Sequence, residues 1–470
     1  MSTLNRDVLY LIFKELKDDI NTLYSCLLVD KIWFMTIISI LWKNPWKFLN
    51  LKQKKLQFLN LIISHLSDEL KNNLIQDGDY FFTNSYQKPL LNYINFCKHL
   101  NFNMIIDIIN SAYSNSDKLS IIENEIFKLF INENTKFTHL YILNQFDYQI
   151  HLIPGVECCF SKLKVLRCGF NMNQNILEGL AKICKSIEKL EFKPSDNIGI
   201  IKLIDVQKNL IDVHLFNNIS FYQPVEESLI KHVNTIQYLK IDLVSITKKL
   251  LIHFVNLISL EINSFRNENW NHLESVSLPH LKFLKAREIS SNNLASLIEN
   301  TNGHLTEISI CSLFINDVDN KRLIQIICKH CPNLKYLMLL FKNRDILEIE
   351  KLLINCQYLD GLIINVDRCE KEFDWKKLFE ILTRSSPPSL FKFKFYIHRY
   401  RTSKFESLKF FFDNWSGRHP ILLQTVHRFI MLREYIDVIQ KYKKEGIVRK
   451  YDNVANGNTF DEFEWIKKKI

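Results

Sequence analysis

From residue 137 onward the chain repeats one short pattern, apolar-x-x-apolar-x-apolar, eleven times. Two clean copies are Leu257-x-x-Leu260-x-Ile262 and Leu334-x-x-Leu337-x-Leu339. The first apolar position falls at Phe137, Leu163, Ile187, Leu210, Ile236, Leu257, Leu281, Leu305, Leu334, Leu359 and Leu390, in steps of 21 to 31 residues. Side chains alternate across a strand, so the apolar residues of each copy point to one face and the intervening ones to the other. Stretches of helical periodicity, such as 176–184, 292–299 and 321–328, follow the copies. A strand–helix unit of about 25 residues cannot bury its apolar face alone. The pattern therefore predicts an α/β solenoid over 137–400, a curved parallel sheet on the concave face with helices on the convex face.

The flanks read differently. Val8, Leu9, Ile12, Phe13 and Leu16 recur at helical spacing, and Asp18 and Asp19 break the run. Thr22 is the expected N-cap of a second helix carrying Leu23, Cys26, Leu27 and Val29. A third helix over 33–41 ends near Pro45. Three short helices in residues 1–46 bury too little surface to stand alone and call for a partner or the adjoining chain. Residues 47–136 predict a helical connector, with helices near 56–66, 105–109 and 121–131, and Leu91-x-x-Ile94-x-Phe96 as a degenerate first repeat. Beyond 400, helical patterns at 405–415 and 429–444, the latter stopped by Gly446, predict a helical cap and tail over 401–470.

Composition changes this picture little. The 470 residues are 47% hydrophobic and 24% charged, with a net charge of +10. That balance favours acidic partners weakly, and without an aromatic–basic RNA motif it argues against nucleic acid. The longest apolar run, 33–42, is about half a membrane span, so no membrane partner is expected. Eleven cysteines without an export signal suggest reduced thiols in the cytosol or nucleus. Cys184, Cys331 and Cys356 each precede a repeat's first apolar residue by three positions, as a small buried residue would. Cys328-x-x-Cys331 lacks a second pair at zinc spacing, so no metal is expected. There is no Gly-rich phosphate loop, no G-x-S-x-G and no H-E-x-x-H. His214, His253 and His398 are scattered, and Cys158-Cys159 precedes a strand. The chain reads as non-catalytic and free of cofactors.

The N-terminal residues carry a resemblance. Leu4-Asn5-Arg6-Asp7-Val8-Leu9, Ile12-Phe13-x-x-Leu16, Leu23-x-x-Cys26-x-x-Val29, Trp33 and Leu41-Trp42 resemble an F-box. Joined to the repeats, they make the whole chain similar to the expanded F-box/leucine-rich-repeat (LRR) families of fungi. The resemblance implies a substrate-recognition subunit of a Skp1–cullin–F-box (SCF) E3 ubiquitin ligase. Leu4, Val8, Leu9, Ile12, Phe13 and Leu16, with Leu23, Cys26, Val29, Trp33, Leu41 and Trp42, would bind Skp1 and through it a cullin and a RING subunit. Asn5 stands where the family usually has Pro, which implies weaker Skp1 binding. The alternatives are an LRR protein–protein interaction scaffold outside any ligase, or a basic scaffold for phosphorylated or nucleic-acid ligands.

An unidentified protein substrate would meet the concave face. Its expected basic ridge is Arg167, Lys189, Lys193, Lys240, Lys285 and Arg287, interrupted by Glu191, Asp212, Asp242 and Glu261. His214, Tyr238 and Phe283 share that face. The ridge fits either a solvated charged surface or a receptor for an acidic or phosphorylated segment. Tyr336, Met338, Leu340 and Ile363 are expected as an exposed apolar patch, covered by a partner or by the chain's own C-terminal tail.

Overall fold

The computed structural model describes residues 4–49, 51–75, 89–113, 119–142, 145–216, 223–242, 248–264, 270–311, 320–366, 373–397, 403–427 and 433–455. They fall into two compact units that divide after Ile211, with residues 222–228 belonging to the first. The first unit holds strands β1 (His99–Asn101), β2 (His139–Ile142), β3 (Val165–Cys168) and β4 (Lys189–Phe192). The second holds β5 (Asp212–Phe216), β6 (Tyr238–Asp242), β7 (Ser259–Asn263), β8 (Phe283–Arg287) and β9 (Glu307–Cys311). It continues with β10 (Tyr336–Phe341), β11 (Gly361–Val366), β12 (Lys392–Ile397), β13 (Ile421–His427) and β14 (Val448–Ala455). Within each unit every strand pairs in parallel with its sequence neighbour.

Each of the eleven apolar copies begins two residues before a strand. The three apolar positions of every copy are at most 4% exposed, from Phe137, Leu140 and Ile142 to Leu390, Phe393 and Phe395. Burying one such side chain stabilises by about 1.5–3 kcal/mol, so the signature contributes to the cohesion of every strand–helix repeat. The helices that follow bring the opposite wall of this core. Gln174–Ile183 buries Ile176, Leu177 and Leu180, and Trp375–Ser385 buries Trp375, Leu378 and Leu382. Asn173, Ser290 and Asp374 cap helices with their side chains, accepting from backbone N–H groups one turn in. Gly199 is required by close approach: a Cβ there would lie 2.7 Å from the Gln174 carbonyl oxygen. Cys184, Cys331 and Cys356 are buried at the ends of their helices. Burial pushes the thiols of Cys184 and Cys356 up to about 12, so they behave as small apolar groups.

Two expectations change. The degenerate first repeat is shifted in register. Residues Tyr93–Phe96 form a 3₁₀ turn, and the strand signature is Cys97-x-x-Leu100-x-Phe102, all three buried. Residues 401–470 are not a purely helical cap either. Helices Ser403–Asp413 and Arg433–Lys444 alternate with β13 and β14, which extend the parallel ladder. By register Leu423 and Thr425 occupy the places of Phe393 and Phe395, and Pro420 precedes them at the first position. A proline and a threonine at signature positions hide the strand from a search for apolar residues. Thr425 is fully buried all the same, its hydroxyl 2.7 Å from the Tyr451 hydroxyl. Gly446 does end its helix region, at φ 77°.

The N-terminal segment forms α1 (Arg6–Glu15), α2 (Ile20–Cys26) and α3 (Lys31–Leu41), followed by α4 (Lys52–Ile63). Asp19, not Thr22, caps α2: its carboxylate accepts from the Thr22 N–H at 3.2 Å and from the Thr22 hydroxyl at 2.7 Å. Asp30 caps α3 through the N–H groups of Ile32 and Trp33. These helices belong to the first unit. The Trp46 indole donates to the His99 carbonyl at 2.5 Å, and the Lys98 N–H donates to the Lys43 carbonyl at 3.0 Å. Trp42 stacks between Phe58 and Tyr93, with ring centroids at 5.4 and 5.1 Å.

Candidate functional sites

The first site is the outer surface of α1–α3. Helix α1 is apolar on two stripes. Leu9 and Phe13 turn inward, where Phe13 meets Trp33 edge-on at 5.0 Å, and Leu23 of α2 is fully buried. Leu4, Val8, Leu11 and Ile12 form the other stripe and stay 42–60% exposed. The spacing of Val8, Leu11 and Ile12 places them on one helical face, and Leu4 precedes the N-cap Asn5. Tyr24, Leu28, Val29 and Ile32 add exposed apolar area on α2 and the start of α3. Among the described residues, nine of the 21 large apolar side chains left exposed lie between Leu4 and Ile32. That concentration exceeds the scattered surface apolars of an ordinary domain.

The twelve residues expected to contact a partner therefore separate. Leu4, Val8, Ile12 and Val29 are presented to solvent; Leu16, Cys26 and Trp33 are half-buried; Leu9, Phe13, Leu23, Leu41 and Trp42 are interior. The last five lie inside the fold, although Leu41 and Trp42 also line a cavity beside these helices. Leu11, Tyr24, Leu28 and Ile32 were missed. The period-3.6 signal at 4, 8, 11 and 12 was there, but it overlaps the inner stripe and one pattern masks the other. Asn5 has a local role: its side-chain oxygen accepts the Asp7 N–H at 3.1 Å and caps α1.

The second site is the strand face turned away from the signature residues. In the first unit Arg167 and Lys189 converge on Glu191, at 3.5 and 3.2 Å. Lys193 lies over the Phe170 ring at 5.4 Å. Beside them His99 and His139 stack with centroids 3.7 Å apart, and Tyr141 OH is 3.4 Å from His99 Nδ1. Burial, reinforced by His139, Lys43 and Lys47, pushes His99 down to about 3, and burial followed by Lys43 lowers His139. Neither imidazole is therefore charged near neutral pH. His99 belongs to this face because the first strand is His99–Asn101 and not the Leu91-x-x-Ile94-x-Phe96 segment.

In the second unit His214 Nε2 lies 2.8 Å from Asp242, and Lys240 bridges Asp242 at 3.6 Å and Glu261 at 2.9 Å. Burial alone would lower Lys240 and raise Asp242. The Glu261 hydrogen bond and charge, and for Asp242 the His214 hydrogen bond and Lys240 charge, reverse both directions. The expected ridge is thus a network of opposed charges at these positions, not a basic surface. Tyr238 is exposed, and Phe283, Lys285 and Arg287 are half-buried on β8.

The expected apolar patch is corrected. Met338 and Ile363 are fully buried and pack with Cys311, Tyr396 and Val426 into a second core, and Leu340 is 5% exposed. Tyr336 borders that core, donating to Asp360 at 2.8 Å, where Lys392 also binds at 2.6 Å. These side chains are covered within the single chain and offer no docking surface. The C-terminal segment from 456, His398 and the other residues outside the described set include the tail expected to lie there.

Among the described residues no group of His, Cys, Asp or Glu is arranged to hold a metal ion, and no helix is long and apolar enough to cross a membrane. Cys331, half of the Cys-x-x-Cys pair, is fully buried and its thiol is raised by burial. No protein-family model matches the chain, and no curated protein shows significant similarity to it.

Proposed function

We propose that this chain is the substrate-recognition subunit of a Skp1–cullin–F-box ubiquitin ligase, with α1–α3 as an F-box and the strand–helix units as leucine-rich repeats. The observation that carries the reading is the outer apolar stripe Leu4, Val8, Leu11 and Ile12, exposed on a helix whose other stripe already fills a core. A helix needs only one apolar face to fold, so the second face is matched to a partner surface. The F-box resemblance of the same residues makes Skp1 that partner. In this role the protein does no chemistry. It raises the effective concentration of a substrate lysine near a charged ubiquitin carrier. The substrate meets the accessible part of the strand face, Tyr238, Phe283, Lys285 and Arg287 in the second unit and Arg167, Lys189 and Lys193 in the first.

The test is a pull-down with purified Skp1, comparing wild type with Val8→Asp/Ile12→Asp. Both positions are exposed, so the variant keeps its fold, as circular dichroism would verify, and loses Skp1. Folded wild type that fails to bind Skp1 would overturn the ligase reading and leave a repeat protein that binds its partner through the strand face alone.

A further inference from the structure

The first unit contains a cavity beside the outer apolar surface of α1–α3, with Tyr24 bordering both. It lies between α2, α3, the Pro45–Phe48 turn and α4, with a volume of about 460 Å³. That size is in the range of small-molecule sites, about 300–1,000 Å³. Its walls are mainly apolar, Leu27, Leu41, Trp42 and Phe58 among them. Among the described residues the charged ones lining the cavity are Lys47 and Lys54, both exposed, with no Asp or Glu. An apolar chamber with two cations and no anion at its rim is complementary to an amphipathic molecule with one negative end.

We propose that this cavity binds a long-chain carboxylate, its alkyl chain against Leu27, Leu41, Trp42 and Phe58 and its carboxylate at Lys47 and Lys54. Alkyl burial supplies the affinity, roughly 0.8 kcal/mol per CH₂ removed from water. The lysines supply the choice of head group. A neutral or cationic head of the same chain length would leave the two ammonium groups facing no counter-charge, or facing a like one.

The probe is dodecanoate at sub-micellar concentration, titrated calorimetrically into the full chain, with dodecylamine as the cationic counterpart. One saturable site is expected, with dodecanoate bound at least about tenfold more tightly than dodecylamine. Leu27→Trp should fill the chamber and abolish binding of both. Lys47→Glu/Lys54→Glu, confined to exposed side chains, should reverse the head-group preference even if Leu27→Trp does not fold. Absence of saturable binding by folded wild type would overturn the proposal. So would affinity unchanged in the charge-reversed variant, which would place the ligand elsewhere. Lys47→Glu/Lys54→Glu leaves the α1 stripe untouched, so a loss of head-group preference with Skp1 binding intact separates this proposal from the ligase reading on which it does not rest.

Discussion

One row of side chains crosses the second unit in unbroken register: His214, Lys240, Glu261, Lys285, Ser309, Met338, Ile363, Lys394 and Gln424. Its two halves differ. From β5 to β8 the row is ionic and half-buried, with His214, Asp242, Lys240 and Glu261 linked by short contacts. From β9 to β13 the same row is 0–5% exposed, down to Lys394 and Gln424. The signature residues behind the row are equally buried in both halves. The repeat signature thus fixes one face of the sheet and leaves the other free to become a charged surface or a second core. Of the two halves, the first is the one that leaves charged side chains accessible to solvent.

Substitutions along the row should expose this contrast. Ile363→Asp should destabilise by about 3–5 kcal/mol, because it buries an uncompensated charge. Lys285→Ala, one row position on the other half, should stay within about 0.5 kcal/mol. Comparable chemical-denaturation midpoints for the two would erase the distinction between the halves.

An intermediate effect is expected at Asp242, which accepts from His214 and pairs with Lys240. Asp242→Ala should cost about 1–2 kcal/mol at neutral pH, since it leaves the partly buried His214 without its acceptor and Lys240 with Glu261 alone. The folded-state pKa of Asp242 is depressed below 3.8. Its contribution is therefore complete above that value and is lost as pH falls through the lower folded value. A variant whose stability matches wild type at pH 7 would show the network to be a surface ornament without energetic weight.

An effect confined to acid pH concerns the strand face of the first unit. His99 drops from 6.5 to about 3 on folding, so between those values the unfolded chain holds a proton that the folded chain refuses. Stability from this site is complete above pH 6.5 and declines as pH falls toward 3. Melting temperature measured from pH 7 to 4 should fall less steeply in His99→Gln than in wild type. Parallel profiles would mean that the stacked histidines titrate normally.

The pattern of apolar positions was sufficient for the architecture wherever all three signature residues were apolar. Cys97-x-x-Leu100-x-Phe102 was passed over because cysteine opens it and a competing triplet, Leu91, Ile94 and Phe96, lies six residues earlier. Strand β13 was invisible for the reason that Thr425 satisfies its hydroxyl through Tyr451, which lets a polar residue occupy an apolar place. In the N-terminal helices, amphipathic spacing announced an apolar unit with more hydrophobic residues than it could bury. It did not say which of Val8 and Leu9, or Ile12 and Phe13, would turn outward, since adjacent residues on a helix differ by about 100° and both fit an apolar stripe.

By itself, then, the sequence determined the strand–helix period, the inward face of each strand and the surplus of apolar residues at the N-terminus. These follow from local periodicity, which each segment carries alone. Tertiary structure decided which α1 stripe is core, which lysines are neutralised by Glu191, Asp242 and Glu261, and that Met338 and Ile363 are interior. Those outcomes depend on what lies across a strand or against a helix from a distant part of the chain, and no local pattern encodes a neighbour.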